Sequence, residues 1–137
     1  MNFIDTNIIV YAFDESEPRK SLIARKLIFN SIDSKEGCIS TQVIQEFCNV
    51  ALNKSASPLN KVQLKRVLSA VLVPLLSHKP DEKFYLRALD IYDRFSLSFY
   101  DSLIIQAATD INCSIVYSED MQHGMTYGKT KVINPFI

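Results

Sequence analysis

The chain has 137 residues, of which 47% are hydrophobic and 22% are charged. This length suits a single domain spanning residues 1–137, and the composition excludes a disordered or collagen-like chain. Fifteen basic and fifteen acidic residues give zero net charge. The chain therefore lacks the excess of basic residues that is typical of a nucleic-acid-binding protein. An acid-rich site on an otherwise mildly basic surface would, however, also give a net charge of zero.

The sequence shows no membrane segment and no cysteine framework. Asp5 and Asp14 interrupt the apolar start, which also lacks the basic residues of a secretory signal. Cys38, Cys48 and Cys113 are widely spaced and form no CxxC motif. An odd, unpatterned set is typical of a reducing compartment. We therefore expect a cytoplasmic protein without membrane attachment, whose cysteines are small core residues.

The hydrophobic pattern alternates short strands with amphipathic helices. Pro18 suits a helix start, Ser40 or Thr41 can cap a helix, and Pro74 should end or kink one. In chain order the predicted elements are a strand at Asn2–Asp5, helices at Thr6–Phe13 and Glu17–Ser31, a strand at Gly37–Ser40, helices at Thr41–Lys54, Ser57–Leu76 (opened by Pro58), Asp81–Phe95 and Tyr100–Asp110, and strands at Cys113–Tyr117 and Val132–Pro135. This order predicts an α/β fold, a mostly parallel sheet flanked by helices, with a helical subregion in the middle of the chain.

Three of the acids have ordinary structural explanations. Asp5 can cap a helix, Asp101 lies in a first helical turn, and Asp120 lies in a predicted turn. Glu46 does not fit such a role, because it shares a predicted helix face with apolar Val43 and Phe47. A charge in an apolar stripe costs desolvation energy unless it has a partner, and no basic residue stands at helical spacing to supply one. Glu46 therefore indicates a functional site.

The four acids fall where ligand sites form in α/β sheets. Asp5 and Asp120 each follow a predicted strand, and Asp101 opens the helix before one. Sites in open sheets lie beyond the carboxyl ends of the strands. Converging carboxylates need a cation, and Mg²⁺ and Mn²⁺ prefer oxygen ligands; His78 and His123 lack the spacing of a zinc site. Such a site supports phosphodiester hydrolysis by a metal-activated water, with a carboxylate as general base.

The motifs around these acids resemble those of the PIN-domain ribonucleases, in particular the VapC-type toxins of bacterial toxin–antitoxin modules. The resemblance covers essentially the whole chain in the expected order. The matching segments are Phe3-Ile4-Asp5-Thr6-Asn7, Gln42-Val43-Ile44-Gln45-Glu46-Phe47, Leu97-Ser98-Phe99-Tyr100-Asp101-Ser102-Leu103-Ile104, Tyr117-Ser118-Glu119-Asp120-Met121-Gln122-His123-Gly124 and Val132-Ile133-Asn134-Pro135-Phe136.

The resemblance implies a PIN fold and Mg²⁺- or Mn²⁺-dependent endonucleolytic cleavage of RNA. By that similarity Asp5 and Asp101 are the principal metal ligands, and Glu46 and Asp120 complete the acidic pocket directly or through water. The side chains implied to orient the acids or their waters are Thr6, Asn7 and Ser118. Family members of this kind are usually homodimers inhibited by a cognate antitoxin protein.

Several alternatives stay open at this point. Glu119 neighbours Asp120 and could exchange roles with it, and His123 could be a general base or a structural hydrogen-bond partner. Basic residues on two predicted helices could grip RNA phosphates or form solvated faces; they are Arg19, Lys20, Arg25, Lys26, Lys61, Lys65 and Arg66. A housekeeping PIN nuclease of RNA processing and a non-catalytic partner-binding PIN module are the alternatives to a toxin.

Overall fold

A six-stranded sheet forms the centre of the computed structural model, which describes residues 1–53 and 59–137. Its strands are β1 (Asn2–Ile4), β2 (Gly37–Ser40), β3 (Leu76–His78), β4 (Ile115–Tyr117), β5 (Thr126–Tyr127) and β6 (Thr130–Ile133). The order across the sheet is β3-β2-β1-β4-β6-β5. All pairings are parallel except that of β5 with β6. The predicted α/β architecture with a mostly parallel sheet is confirmed.

Four helices begin after residues whose side chains satisfy a free backbone N–H group. Asp5, Asn60, Asp81 and Ser98 each accept a hydrogen bond at a helix start. The helices are α1 (Thr6–Ala12), α2 (Pro18–Ser34), α3 (Thr41–Leu52), α4 (Lys61–Val67), a π-helical turn (Leu68–Leu72), α5 (Val73–Leu75), α6 (Glu82–Phe95) and α7 (Phe99–Asp110).

The helix predicted at Ser57–Leu76 is confirmed over residues 61–75, and its end next to Pro74 is as predicted, but the segment is less regular and shorter than expected. Its start lies outside the described residues, a π turn interrupts its middle, and Leu76 already belongs to β3. Pro74 supplies the physical reason, because proline donates no N–H and its ring clashes with the carbonyl four residues earlier. The turn before Pro74 is a wider π turn, in which the N–H of Val73 bonds the Leu68 carbonyl, five residues back.

Sequence patterns also missed two short strands. β3 interrupts the predicted helical subregion, and its Leu-Ser-His sequence carries no β-branched residue that would mark a strand. β5 has two residues, too few to show alternation, and the hairpin to β6 turns at Gly128, whose φ is +61°. The predicted final strand at Val132–Pro135 lies two residues earlier, at Thr130–Ile133. The other element boundaries differ by a few residues, and Lys54 lies outside the described residues.

The pairing of the two central strands places their ends side by side. Ile4 of β1 lies opposite Tyr117 of β4. The ladder continues beyond the strands, because the N–H of Asp5 donates to the Tyr117 carbonyl at 3.0 Å, and the N–H of Ser118 donates to the Ile133 carbonyl at 3.0 Å. From β1 the chain continues to β2 on one side, while β4 lies on the other. Asp5 and Ser118 therefore leave the sheet at the position where the strand order reverses, which favours ligand binding.

The buried apolar side chains form one cluster around the sheet. Phe3, Ile4, Val116 and Val132 of the inner strands are fully buried. Cys38 and Cys113 are free and buried, as expected for core residues, whereas free Cys48 is half-buried. In the part of the chain that the structure describes, no helix is both long and apolar enough to cross a bilayer.

Candidate active site

Asp5 is the buried centre of the acidic site. Its side chain is 6% exposed and caps α1 by accepting a hydrogen bond from the Thr6 N–H at 2.7 Å. The other carboxylate oxygen accepts from the Ser118 hydroxyl at 2.8 Å and from the Asn7 amide at 3.2 Å. Asp5 therefore has the capping role that its position allows and also joins residues from both central strands.

Asn7 connects Asp5 to Asp120. Its side-chain amide donates to Asp120 Oδ2 at 3.1 Å, and its Oδ1 accepts from the backbone N–H of Glu119 at 3.1 Å. The loop after β4 is fastened in this way to the first turn of α1. The Ser118 hydroxyl adds a bond by accepting from the Met121 N–H at 3.3 Å.

Two neutral side chains donate hydrogen bonds to the carboxylate of Glu46. Thr6 Oγ1 donates to one carboxylate oxygen at 2.7 Å, and Gln42 Nε2 donates to the other at 2.7 Å. These bonds resolve the conflict between a charge and the apolar face of α3, where Val43 and Phe47 are buried. The sequence interpretation did not assign a role to Gln42, although its spacing of four residues from Glu46 on a helix is a signal of contact.

Asp101 lies in the first turn of α7. Ser98 caps this helix by accepting from the Asp101 N–H at 3.1 Å, and the helix dipole favours an acid at this end. Beyond Asp101, α7 is buried along Ile104, Ile105 and Ala108. The packing of that apolar segment holds the acidic end of α7 towards the carboxyl ends of the strands.

The carboxylates influence one another electrostatically. Burial raises the pKa of Asp5 to about 6, and the nearby charges of Glu46 and Asp101 add to the increase, against the hydrogen bonds from Ser118 and Thr6. Burial also raises the pKa of Asp101, and the charges of Asp120 and Glu46 add to it. The four predicted acids therefore interact electrostatically, and a bound cation would stabilise their charged forms.

Glu119 faces a different set of partners from Asp120. Lys20 Nζ binds Glu119 at 2.7 Å, and the Tyr11 hydroxyl donates to the same carboxylate at 2.7 Å. Although partial burial opposes it, these two bonds lower the pKa of Glu119. Its charge is thus compensated by α2, whereas Asp120 is exposed and bound to Asn7. This arrangement favours Asp120 as the fourth acid.

Other polar residues considered from the sequence have structural contacts. His123 Nδ1 accepts a hydrogen bond from the Asn134 N–H at 3.0 Å. On α2, Arg19 binds the Phe136 carbonyl at 2.9 Å and Arg25 binds the Ala12 carbonyl at 2.7 Å. With Lys20 bound to Glu119, three basic residues of this helix make contacts within the protein and are not a purely solvated face.

The donor set suits Mg²⁺ or Mn²⁺, since every functional group contributed is a carboxylate or a neutral oxygen or amide group. Within residues 1–53 and 59–137, no three Asp, Glu, His or Cys side chains stand close enough to hold a metal ion together. Mg²⁺ commonly binds through one or two carboxylates, with waters and substrate phosphate completing its shell. The chemistry of the site therefore fits an ion of this kind, in an open arrangement and not a closed cage.

An open groove of about 460 Å³ leads to these residues. It is lined by Thr6, Asn7, Glu46 and Asp120, with Tyr11 and Asn49 among the residues of its walls. The site thus combines an α/β sheet, buried and exposed carboxylates at the point where the strand order reverses, and an open groove beside them.

Comparison with known proteins identifies the class to which this fold and site belong. The sequence model of the PIN domain family matches residues 3–125. The chain belongs to the PIN domain family, which confirms the resemblance seen in its motifs. A search of curated protein sequences found no significant match.

Solved structures share the fold at low sequence identity. A toxin–antitoxin complex from Klebsiella pneumoniae superposes with a TM-score of 0.69 at 15% identity, covering 98% of both chains. FitAB bound to a DNA fragment gives a TM-score of 0.67 at 19% identity, covering 100% of this chain and 96% of the other. The sarcin-ricin loop cleaving toxin VapC20 of Mycobacterium tuberculosis gives 0.64 at 13% identity, covering 88% and 90%.

Proposed function

We propose that this protein is a Mg²⁺- or Mn²⁺-dependent endoribonuclease that acts as the toxin of a toxin–antitoxin pair. The proposal is carried by the arrangement around Asp5 at the strand-order reversal of a PIN domain: Glu46 and Asp120 are hydrogen-bonded to Thr6 and Asn7, which follow Asp5, and the Asp101 charge acts on Asp5. Asp5 and Asp101 would hold the ion, with Glu46 and Asp120 acting directly or through water. The bound ion would activate water and stabilise charge on the phosphoryl oxygens.

The protein's own residues would prepare this site before substrate binds. Ser118 and Asn7 hold the Asp5 carboxylate, and Thr6 holds that of Glu46. These donors fix the carboxylate orientations at short distances, so little reorganisation is needed when the ion and the RNA phosphate arrive. Acids without compensating cations would otherwise repel a phosphodiester, which explains why the site needs a metal.

The central test is cleavage of a structured RNA by the purified protein. We expect activity with Mg²⁺ or Mn²⁺, and its loss with EDTA. Asp5→Asn and Asp101→Asn should each lower the rate at least 100-fold, since each removes a charge that holds the ion, whereas Asp93→Asn, at an exposed acid of α6, should keep it. Wild-type rates in both site variants, with folding verified by circular dichroism, would sink the metal-site proposal.

The toxin role has a separate test. The similar solved structures include a toxin–antitoxin complex and a toxin that cleaves the sarcin-ricin loop, which supports an RNA substrate and an inhibitory protein partner here. Induced expression should arrest bacterial growth, and co-expression of the cognate antitoxin that the proposal requires should restore growth. Expression of Asp101→Asn should not arrest growth. An active nuclease that leaves growth unaffected would instead be a housekeeping enzyme.

A further inference from the structure

A second cavity lies beside the acidic site, beyond the ends of β2 and β3. Its volume is about 240 Å³. Gln42, one of its lining residues, also donates to Glu46 and approaches the Tyr100 carbonyl at 3.4 Å. Tyr100, another lining residue, immediately precedes Asp101. The cavity therefore lies next to two of the four acids. Gln42 connects it to Glu46, and Tyr100 connects it to Asp101.

Two polar groups among the cavity's lining residues have unused hydrogen-bonding capacity. Among the described residues, Ser40 Oγ and His78 Nδ1 are buried without a hydrogen-bond partner; Ser40 is 3% exposed and the His78 side chain 9%. His78 Nε2 lies 3.1 Å from Asp110 Oδ2. If Nε2 donates to that carboxylate, Nδ1 of the neutral ring is an acceptor, while the serine hydroxyl can donate or accept. Buried polar groups are normally satisfied, so each of these two has capacity to bond a polar group of a ligand or a water.

Four aromatic rings also line the cavity. Phe84 and Tyr85 of α6 lie with ring centroids 5.3 Å apart, and Phe99 and Tyr100 at the start of α7 lie 5.6 Å apart. Tyr85 is 43% exposed and Tyr100 63%. Exposed rings beside unsatisfied polar atoms suit a flat ligand that has both a π face and a hydrogen-bonding edge.

We propose that this cavity binds one unpaired nucleobase of the RNA, next to the phosphodiester held at the acidic site. The volume is smaller than the roughly 300–1,000 Å³ of pockets for drug-sized ligands, so a base fits better than a whole nucleotide. An aliphatic side chain would use the rings but leave both polar atoms unsatisfied. A base edge carries both donors and acceptors, the two kinds of group that the imidazole nitrogen and the serine hydroxyl can bond.

Binding needs a small movement at the rim, because both polar atoms are covered in the free protein. Gln45 and Tyr100 are exposed lining residues that can rotate to admit a base. The role as an RNA-base site rests on the proposed ribonuclease function, since the cavity would select bases near the cleavage point. Unpaired bases are the parts of RNA that proteins stack on aromatic side chains.

The test measures base binding without cleavage. The four ribonucleoside 5′-monophosphates and ribose 5-phosphate are titrated in EDTA into isotope-labelled protein, and amide shifts of Ser40, Gln42 and His78 are followed by NMR. We expect at least one nucleotide to move these signals and ribose 5-phosphate to leave them unchanged. Tyr85→Ala should weaken the binding about 5- to 150-fold, the range for loss of one stacked ring. Tyr85→Phe should retain it.

Tyr92→Ala is the matched control, because Tyr92 is 45% exposed on the same helix but does not line the cavity. Equal affinity of Tyr85→Ala, Tyr92→Ala and wild type would overturn the base site, as would equal shifts with ribose 5-phosphate. Dissociation of a dimer by Tyr85→Ala, with no nucleotide response in the wild type, would also overturn it and assign the rings to a protein partner. Since no cleavage is involved, an inactive protein that binds bases here would contradict only the proposed nuclease function.

Discussion

The Asp5 carboxylate is buried, yet only neutral groups donate hydrogen bonds to it in the described structure. Its pKa is about 6 in the folded protein and 3.8 in an ordinary carboxyl group. Between these values the folded protein keeps a proton that the unfolded chain has lost. Raising the pH through this window therefore destabilises the metal-free protein, by up to about 3 kcal/mol.

Asp5→Asn should remove this pH dependence, because asparagine is neutral and is also a good helix cap. We expect the variant to be more stable than the wild type at pH 7 in EDTA, and to lose that advantage near pH 4. Urea unfolding at several pH values measures the difference. The matched variant Asp93→Asn should show no such trend. If the difference in unfolding free energy between the wild type and Asp5→Asn stayed constant from pH 4 to 7, the buried, protonatable state of Asp5 would be contradicted.

At the scale of elements, the first turn of α7 gives a way to separate stability from positioning. Ser98 caps α7 through the Asp101 N–H, and Asn60 caps α4 through the Gln63 N–H at 2.8 Å. Ser98→Ala and Asn60→Ala should each cost about 1 kcal/mol of unfolding free energy. Only Ser98→Ala should also slow RNA cleavage several-fold, since α7 carries Asp101 and α4 carries none of the four acids. Equal rates in the two variants would show that the cap does not position Asp101.

At the scale of the whole molecule, apolar side chains remain on the surface. Leu22 and Phe29 of α2 and Leu86 of α6 are each 56% exposed, and Leu89 is 47% exposed. Leu22 and Phe29, seven residues apart, share a face of α2, and Leu86 and Leu89, three apart, share a face of α6. Exposed apolar helix faces are suited to binding a partner. We expect a homodimer, with light scattering giving twice the 15.6 kDa chain mass at micromolar concentration. A particle of 15.6 kDa at all concentrations would contradict the dimer.

The sequence by itself determined the α/β class and most element positions, because these depend on local periodicity, caps and prolines. It also located the four acids, since each stands next to an element boundary or conflicts with an apolar face. Glu46 is the clearest case, because its desolvation conflict is visible from Val43 and Phe47 alone. The motifs around these acids were sufficient to indicate the PIN domain family.

Only the tertiary structure decided which side chains meet. The pairing of β1 with β4 brings Ser118 to Asp5 across 113 positions of the chain. Lys20 forms an ion pair with Glu119, 99 positions along the chain, whereas the neighbouring Asp120 is bound to Asn7 beside Asp5. Strands as short as β3 and β5 could not be predicted either, since partner strands stabilise them more than their own residues do. Local patterns set where an acid stands along the chain, and long-range packing sets its neighbours, its burial and its pKa.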